Sequence, residues 1–151
     1  MKATGIVRRI DDLGRIVIPK EIRRTLHIRE SDPLEIFTDR EGQIILKKYS
    51  PIGEMTTFAK QYAESLAQVS GHPTLIADRD QFIAVSGGCK QLLNKAVSRQ
   101  LEEKINNRET VIAAKGDRNY VNIAEDIAVD YAWQLITPII CEGDIIGSVI
   151  L

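Results

Sequence analysis

The first fifty residues carry more large apolar side chains than a fold of that size can bury by itself. Fourteen of them lie in predicted strands or in a predicted helix, and strand alternation would place several outside a single small core. Domains near this size usually need a disulfide, a metal or a partner chain. The apolar content therefore predicts that this segment folds as a dimer. The fourteen candidates for burial are Ile6, Val7, Ile10, Ile16, Val17, Ile18, Ile22, Leu26, Leu34, Ile36, Phe37, Ile44, Ile45 and Leu46.

Turn and strand signals divide the same segment into a β-β-α-β-β order. The turn Asp11–Gly14 places glycine where a positive φ is needed, between two β-branched runs. Pro19 ends the second run and suits the first turn of a helix. The predicted elements are strands over 3–10 and 15–18, a helix over 19–27, and strands over 34–38 and 43–49.

Charge is divided unevenly along the chain. Residues 1–50 hold 11 Lys and Arg against 8 Asp and Glu, a net of +3, whereas residues 51–151 hold 9 against 13, a net of -4. The whole chain has a net charge of -1, which hides the basic segment. A basic N-terminal segment followed by an acidic segment predicts that the first binds a polyanion and that the second has another role.

Composition is that of an ordinary globular protein, with 44% hydrophobic and 27% charged residues among 151. No apolar run approaches the roughly 20 residues that a membrane helix needs, and the N-terminal sequence has no apolar signal core. We therefore expect a cytoplasmic protein without membrane contact. Cys89 and Cys141 have neither zinc-site spacing nor a disulfide pattern, and we expect two buried, reduced thiols.

A linker is predicted at residues 51–54, followed by a second domain over 55–151. Apolar residues recur at helical spacing over 54–70 and 90–106, whereas residues 115–132 show no clear pattern. Strands are predicted over 74–78, 82–86, 110–114, 134–141 and 145–151. The second domain is thus an α+β fold with a central antiparallel sheet. Because the chain ends within an apolar strand, we expect a truncated C-terminus.

The predicted helix over 19–27 has an apolar face and a basic face. Ile22 and Leu26 lie on the apolar side. Surface charge is usually only solvated, but two of the three fixed cations opposite are arginines, whose planar fork suits phosphate and guanine edges. The helix therefore favours nucleic-acid binding. At 100° per residue, an arc of about 100° contains Lys20, Arg23, Arg24 and His27.

The stretch TGIVRRIDDLGRIVIPKEIRRTLHIRESDPLEIF, with ILKKY after it, resembles the AbrB-type transition-state regulator domain, a bacterial DNA-binding module. The resemblance covers essentially all of residues 1–50. It implies a swapped-hairpin barrel, in which two chains interleave strands around one core, and a homodimer bound to double-stranded DNA at the nucleoid. It implies DNA contacts by Arg8, Arg15, Arg23 and Arg24, to which we add the neighbouring Arg9 and Lys20.

Residues 55–151 resemble a GAF domain through the ending Pro138-Ile139, Gly143-Asp144 and Ile146–Val149. GAF domains often enclose small molecules and some only join subunits. The resemblance therefore implies a sensor for an unidentified ligand, or an assembly domain that makes a tetramer. Such domains usually close with one more helix, which this sequence lacks. The two domains together resemble regulators of sporulation-phase genes, so we expect a sequence-selective transcription regulator.

Two alternatives belong to other function classes. An antitoxin-like DNA-binding protein would pair such a barrel with a disordered tail, whereas the tail here has globular patterning. A small-molecule or redox sensor would depend on the GAF-like domain and its cysteines. His72 stands alone beside Pro73, and no Cys, His and Asp spacing supports a nucleophile or a metal site. We expect no catalytic residue, no metal site, no cofactor and no enzymatic activity.

Overall fold

The computed structural model describes residues 4–151, which divide into two compact units between Tyr49 and Ser50. The helices are α1 (Lys20–Thr25) in the first unit and α2 (Pro51–Glu54), α3 (Thr56–Ser70) and α4 (Arg99–Asn106) in the second, with a 3-10 turn at Lys90–Leu92. The strands are β1 (Leu34–Thr38), β2 (Ile44–Lys48), β3 (Thr74–Ala77), β4 (Phe82–Ser86), β5 (Val111–Ala114), β6 (Trp133–Cys141) and β7 (Asp144–Ile150). None of the described helices is long and apolar enough to cross a membrane.

The first unit contains one hairpin and one short helix. Strands β1 and β2 pair antiparallel from Leu34 opposite Lys48 to Thr38 opposite Ile44, which confirms the predicted hairpin. The strands predicted over 3–10 and 15–18 do not form: residues 4–10 and 15–18 have no strand partner in the described chain. A β-strand forms only when the backbone N–H and C=O groups of a neighbouring strand pair with its own. These two segments have no such neighbour in the described chain.

The first unit lacks an interior of its own. Pro19 is its one buried residue among those described, and every buried Ala, Val, Ile, Leu and Phe of the described chain lies in the second unit. The exposed apolar residues of the first unit are Ile6, Val7, Ile10, Leu13, Ile16, Val17, Leu26, Ile36, Phe37, Ile44, Leu46 and Tyr49. Twelve such side chains on one small unit far exceed the scattered surface apolar residues of a stable monomeric domain.

The second unit is a five-stranded antiparallel sheet in the order β4-β3-β7-β6-β5, with a separate core on each face. One core joins α2 and α3 to the sheet and comprises Ile52, Ala59, Ala63, Ile76, Ile83 and Ala84. The other core includes Leu75, Phe82, Leu101, Ile105, Ile136 and Ile150. The central antiparallel sheet predicted from the sequence is therefore present.

Residues 51–54, which the sequence suggested as a linker, form helix α2 at the start of the second unit. Ser50 caps this helix, because its hydroxyl accepts a hydrogen bond from Gly53 N at 3.0 Å. The same hydroxyl donates to the Asp78 carboxylate at 3.1 Å. Ile52 is buried against the sheet. Burial of Ile52 and capping by Ser50 hold this segment against the sheet of the second unit.

The helix predicted over 90–106 is broken. Asn94 N donates to Phe82 O at 2.8 Å and Phe82 N donates to Lys95 O at 3.0 Å, so this stretch pairs with the start of β4. The helix resumes after Ser98, whose hydroxyl accepts from Leu101 N at 3.0 Å. Helical apolar spacing across residues 90–106 was misleading because long-range backbone pairing overrides local periodicity.

Gly147 allows β7 to approach β3 closely. A Cβ atom placed there would clash with the backbone oxygen of Ala77 and would lie 3.1 Å from Ile52 Cδ1. We expect Gly147→Ala to lower the free energy of unfolding of the second unit by about 1–3 kcal/mol, the usual cost of overpacking. Thermal or urea unfolding measures it.

Gly53→Ala is the comparison, because a Cβ there would meet only side-chain atoms, the nearest being Ser50 Oγ at 2.9 Å. Moving that side chain removes the cap of α2 and the Asp78 hydrogen bond, at about 0.5–2 kcal/mol, but displaces no backbone atom. Equal stability of Gly147→Ala and the parent would contradict the close approach.

Candidate nucleic-acid interface

Helix α1 is a single short helix with sharp ends. Pro19 precedes it with φ of -56° and its carbonyl accepts a hydrogen bond from Arg23 N at 3.0 Å. At the other end His27 adopts a left-handed φ of 51°, and Ile28 N donates to Arg23 O at 2.8 Å. The predicted extent of 19–27 is therefore too long, and His27 lies outside the helix that carries the other three cations.

The three helical cations differ in exposure. Lys20 and Arg24 are exposed, whereas Arg23 is half-buried and its Nε is buried with no hydrogen-bond acceptor among the described residues. On the apolar side Ile22 is half-buried, but Leu26 is 56% exposed. The predicted division of this helix into a solvated basic face and a buried apolar face therefore fails at two residues. Arg23 on the basic side is half-buried, and Leu26 on the apolar side is exposed.

Arg15 is held by the turn that precedes it. The Asp11 carboxylate accepts hydrogen bonds from Arg15 N at 2.8 Å, Arg15 Nε at 2.9 Å and Leu13 N at 3.0 Å. These bonds, chiefly that from the Arg15 backbone amide, lower the pKa of Asp11. The Arg15 side chain is still 70% exposed. The turn therefore fixes the position of the Arg15 backbone and Nε while the side chain stays in solvent.

Four predicted site residues are exposed and have no ion pair with any residue of the part described. Arg8 and Arg9 precede the turn, and Lys20 and Arg24 lie on α1. A cation without an acidic neighbour keeps its full charge for an external anion. The structure thus brings Lys20, Arg23 and Arg24 together on one helix and Arg15 next to the Asp11 turn.

Lys48, another cation of the first unit, has a structural role. Asp32, whose side chain is only 4% exposed, accepts from Arg29 N at 2.9 Å and lies 3.8 Å from Lys48 Nζ. Lys48 Nζ also donates to His27 O at 2.8 Å. These contacts join the end of α1 to β2. A count of charges cannot separate such cations from those available to a ligand.

Two further cations of the first unit, Arg40 and Lys47, are exposed and do not belong to the six site residues predicted from the sequence. Arg40 lies between the strands of the hairpin, and Lys47 Nζ lies 4.7 Å from the centre of the Phe37 ring. Their only signal in the sequence is the net positive charge of the first fifty residues. They extend the exposed basic surface beyond the six predicted residues.

The cysteines are both free, but only one is shielded from solvent. Cys89 is half-buried and its Sγ is in hydrogen-bond contact with the Tyr131 hydroxyl. Cys141 is exposed at the end of β6, so the expectation of two buried thiols is wrong for this residue. The Glu142–Asp144 turn places it at the rim of the sheet, where neighbouring side chains do not cover it.

Comparison with known families gives two matches along the chain. A family described as stage V sporulation protein T C-terminal, transcription factor, matches residues 54–151. A second family, antidote-toxin recognition MazE, bacterial antitoxin, matches residues 7–54. The two matches together cover nearly the whole chain and meet close to the boundary between the units.

Individual relatives extend these matches. Stage V sporulation protein T of Bacillus subtilis (strain 168) is 55% identical over 152 residues, which cover 100% of this chain and 84% of the relative. Transition state regulatory protein AbrB of the same organism is 44% identical over 108 residues, covering 72% of this chain and 93% of AbrB. The solution structure of the N-terminal DNA recognition domain of AbrB is 67% identical, covers 34% of this chain and 94% of that one, and has a TM-score of 0.29. Because the similarity to the first relative runs the full length of the chain, the chain belongs to the stage V sporulation protein T family.

Proposed function

We propose that this protein is a sequence-selective transcription regulator of sporulation-phase genes that binds double-stranded DNA through its first unit. The observation that carries the proposal is the set of exposed cations on and before α1, four of them without an acidic partner in the described chain. The 67% identity to a domain described as the DNA recognition domain of AbrB supports the same assignment. The proposed contacts are Arg8, Arg9, Arg15, Lys20, Arg23 and Arg24.

The first unit is proposed to be a swapped-hairpin barrel made by two chains. The support is physical: one chain leaves twelve large apolar side chains exposed, and residues 4–10 and 15–18 have no strand neighbour in the described chain. A second copy would supply both the strand partners and the missing core. Obligate dimers of this kind have no stable folded monomer.

Arg23 fits this proposal in a specific way. A buried guanidinium N–H without an acceptor is costly, and most such groups in folded proteins have a partner. An acceptor from a second chain or a phosphate oxygen would satisfy it. Arg23 is therefore proposed to be positioned partly by the dimer, while Arg24 contacts DNA directly.

The second unit is proposed to be a GAF-like domain that assembles dimers or senses a ligand. Helix α3 packs on the sheet through the small residues Ala59 and Ala63, which leaves its large apolar side chains facing outward. Phe58 and Tyr62 lie with ring centroids 4.7 Å apart on this outer stripe. The exposed residues Met55, Phe58, Tyr62 and Val69 recur at helical spacing. Such a stripe suits a helix of another copy, and hence a tetramer.

An antitoxin-like function is the second candidate, because the MazE family matches residues 7–54. That match ends at residue 54, a few residues after the second unit begins at Ser50. The described second unit is a packed sheet domain, unlike the disordered tail with which an antitoxin would wrap its toxin. We therefore rank a regulator with a sensing or assembly domain first.

A salt titration tests DNA binding. In a dimer, Arg8, Arg15, Arg23 and Arg24 supply eight cations, so the logarithm of the association constant should fall against the logarithm of salt concentration with a slope of about -5 to -7. Arg24→Ala removes two charges per dimer and should flatten the slope by up to about 2. Arg118→Ala, which removes an exposed arginine of the second unit, is the matched control and should leave the slope unchanged. Arg8, Arg15 and Arg24 variants that all bind like the parent at every salt concentration would sink the proposal.

Val7→Asp tests the shared core, because Val7 is 89% exposed in one chain. A substitution at a truly exposed site changes stability by about 0.5 kcal/mol or less. If a second copy covers Val7, the buried charge should cost about 3 kcal/mol or more and shift the protein toward unfolded first units at low concentration. Sedimentation and concentration-dependent unfolding measure this. Ile140→Asp, at an exposed apolar site of the second unit, should not change dimer formation. A Val7→Asp protein as stable as the parent would contradict the shared barrel.

Tyr62→Glu tests assembly through α3. The substitution places a charge in the outer stripe but leaves Ala59 and Ala63 on the sheet. We expect the mass in solution to fall from tetramer to dimer while the melting temperature of the second unit stays nearly unchanged. Light scattering gives the mass, and Gln68→Glu, at an exposed position of the same helix outside the stripe, adds the same single negative charge and is the control. A tetramer that survives Tyr62→Glu would show that the stripe is not an assembly contact.

A further inference from the structure

A cavity of about 370 Å³ lies on one face of the second unit, beneath the irregular segment 115–132. Its apolar walls include Leu75, Ile123, Leu135 and Ile150, which come from the sheet and from that segment. Three aromatic side chains, Tyr120, Tyr131 and Trp133, also line it. The volume falls in the range of roughly 300–1,000 Å³ that small-molecule sites occupy.

The irregular segment is held in place over the cavity by hydrogen bonds between side chains and the backbone. The Gln134 side-chain amide donates to Val121 O and accepts from Val121 N, both at 3.0 Å. The Tyr120 hydroxyl donates to Tyr131 O at 3.0 Å. Loops of this length without secondary structure are uncommon in compact domains and usually have a binding or covering role. The segment therefore behaves as an ordered wall of the cavity.

The side chains of the lining disfavour a charged occupant. None of these side chains belongs to Lys, Arg, Asp or Glu. The amide of Gln134 makes one hydrogen bond through its oxygen and one through its nitrogen, both to Val121. Burial together with the Cys89 contact raises the pKa of Tyr131 to about 12, so its phenol is neutral at neutral pH. A buried ion without a partner is strongly disfavoured, whereas an apolar molecule needs no partner.

We propose that this cavity is a binding site for an uncharged, largely apolar small molecule. The inference deepens the sensing role proposed for the second unit, because it names the chemical class that is sensed. Trp133 and Ile112 are 65% and 71% exposed, so they form the mouth through which such a molecule enters. His72, also exposed, is the polar residue at the rim.

Trp133 is the single tryptophan of the chain, so its fluorescence reports on the cavity mouth directly. The experiment titrates the full chain with the n-alkanols from hexanol to decanol, and with octanoate at neutral pH. These probes do not absorb where tryptophan does. We expect a saturable change in Trp133 emission with the alkanols, and octanoate should bind at least about tenfold more weakly than octanol because its charge must be desolvated.

Ile112→Lys tests the location. The substitution places a cation at the mouth on an exposed position, so the fold should tolerate it. We expect octanoate affinity to rise by about 2- to 5-fold, the range of an exposed ion pair, while octanol affinity falls. Ile140→Lys is the matched control, because Ile140 is an exposed isoleucine of the same sheet that does not line the cavity. That variant should bind both probes like the parent.

Three results would overturn the proposal. The first is no saturable fluorescence change with any alkanol up to its solubility, and the second is octanoate binding as tight as that of octanol. The third is a fluorescence change that depends on protein concentration, which would make this face a contact between copies. Alkanol binding that leaves DNA affinity unchanged would support the site and contradict the sensing role, while loss of DNA binding in the arginine variants concerns the first unit alone.

Discussion

Burial of apolar surface governs this protein, because only one of its two units can achieve it within a single chain. The second unit encloses two cores, one on each face of its sheet. The first unit has a hairpin, a six-residue helix and twelve exposed large apolar side chains. Apolar burial is the dominant favourable term in folding, and the described part of the first unit achieves little of it within one chain. The shared barrel proposed above would supply the missing burial and would join stability to assembly in one equilibrium.

The cations of the first unit divide into those that make contacts within the unit and those that are exposed. Asp32 is nearly buried and engages Lys48 and the backbone of Arg29, so part of the positive charge joins the end of α1 to the hairpin. Arg8, Arg9, Lys20 and Arg24 are exposed instead. The contacts of Asp32 fix the end of α1, so the exposed cations of this helix are held at defined positions. Defined positions are what contacts to a nucleic-acid backbone need. Arg23 lies on the same helix but is half-buried.

In the second unit, a few polar contacts between residues distant in sequence hold segments that show no regular apolar spacing. Ser50 and Asp78 hold α2 to the sheet, and Gln134 holds segment 115–132 through Val121. Each of these buried polar groups has its partner, so the irregular backbone is ordered without a helix or strand. The Gln134 contact also places segment 115–132 over a cavity whose lining side chains include no Lys, Arg, Asp or Glu.

The sequence by itself determined the local elements and the partition of charge. The β1–β2 hairpin, helix α3 and the strands of the central sheet follow from periodicity and turn residues, and the basic character of the first fifty residues follows from counting. Only the tertiary structure decided that Asn94 pairs with Phe82 and breaks a predicted helix, that His27 leaves α1, and that Arg23 is half-buried while Arg24 is exposed. The physical reason is that these outcomes depend on groups distant in sequence, whose hydrogen bonds and burial local propensity does not record.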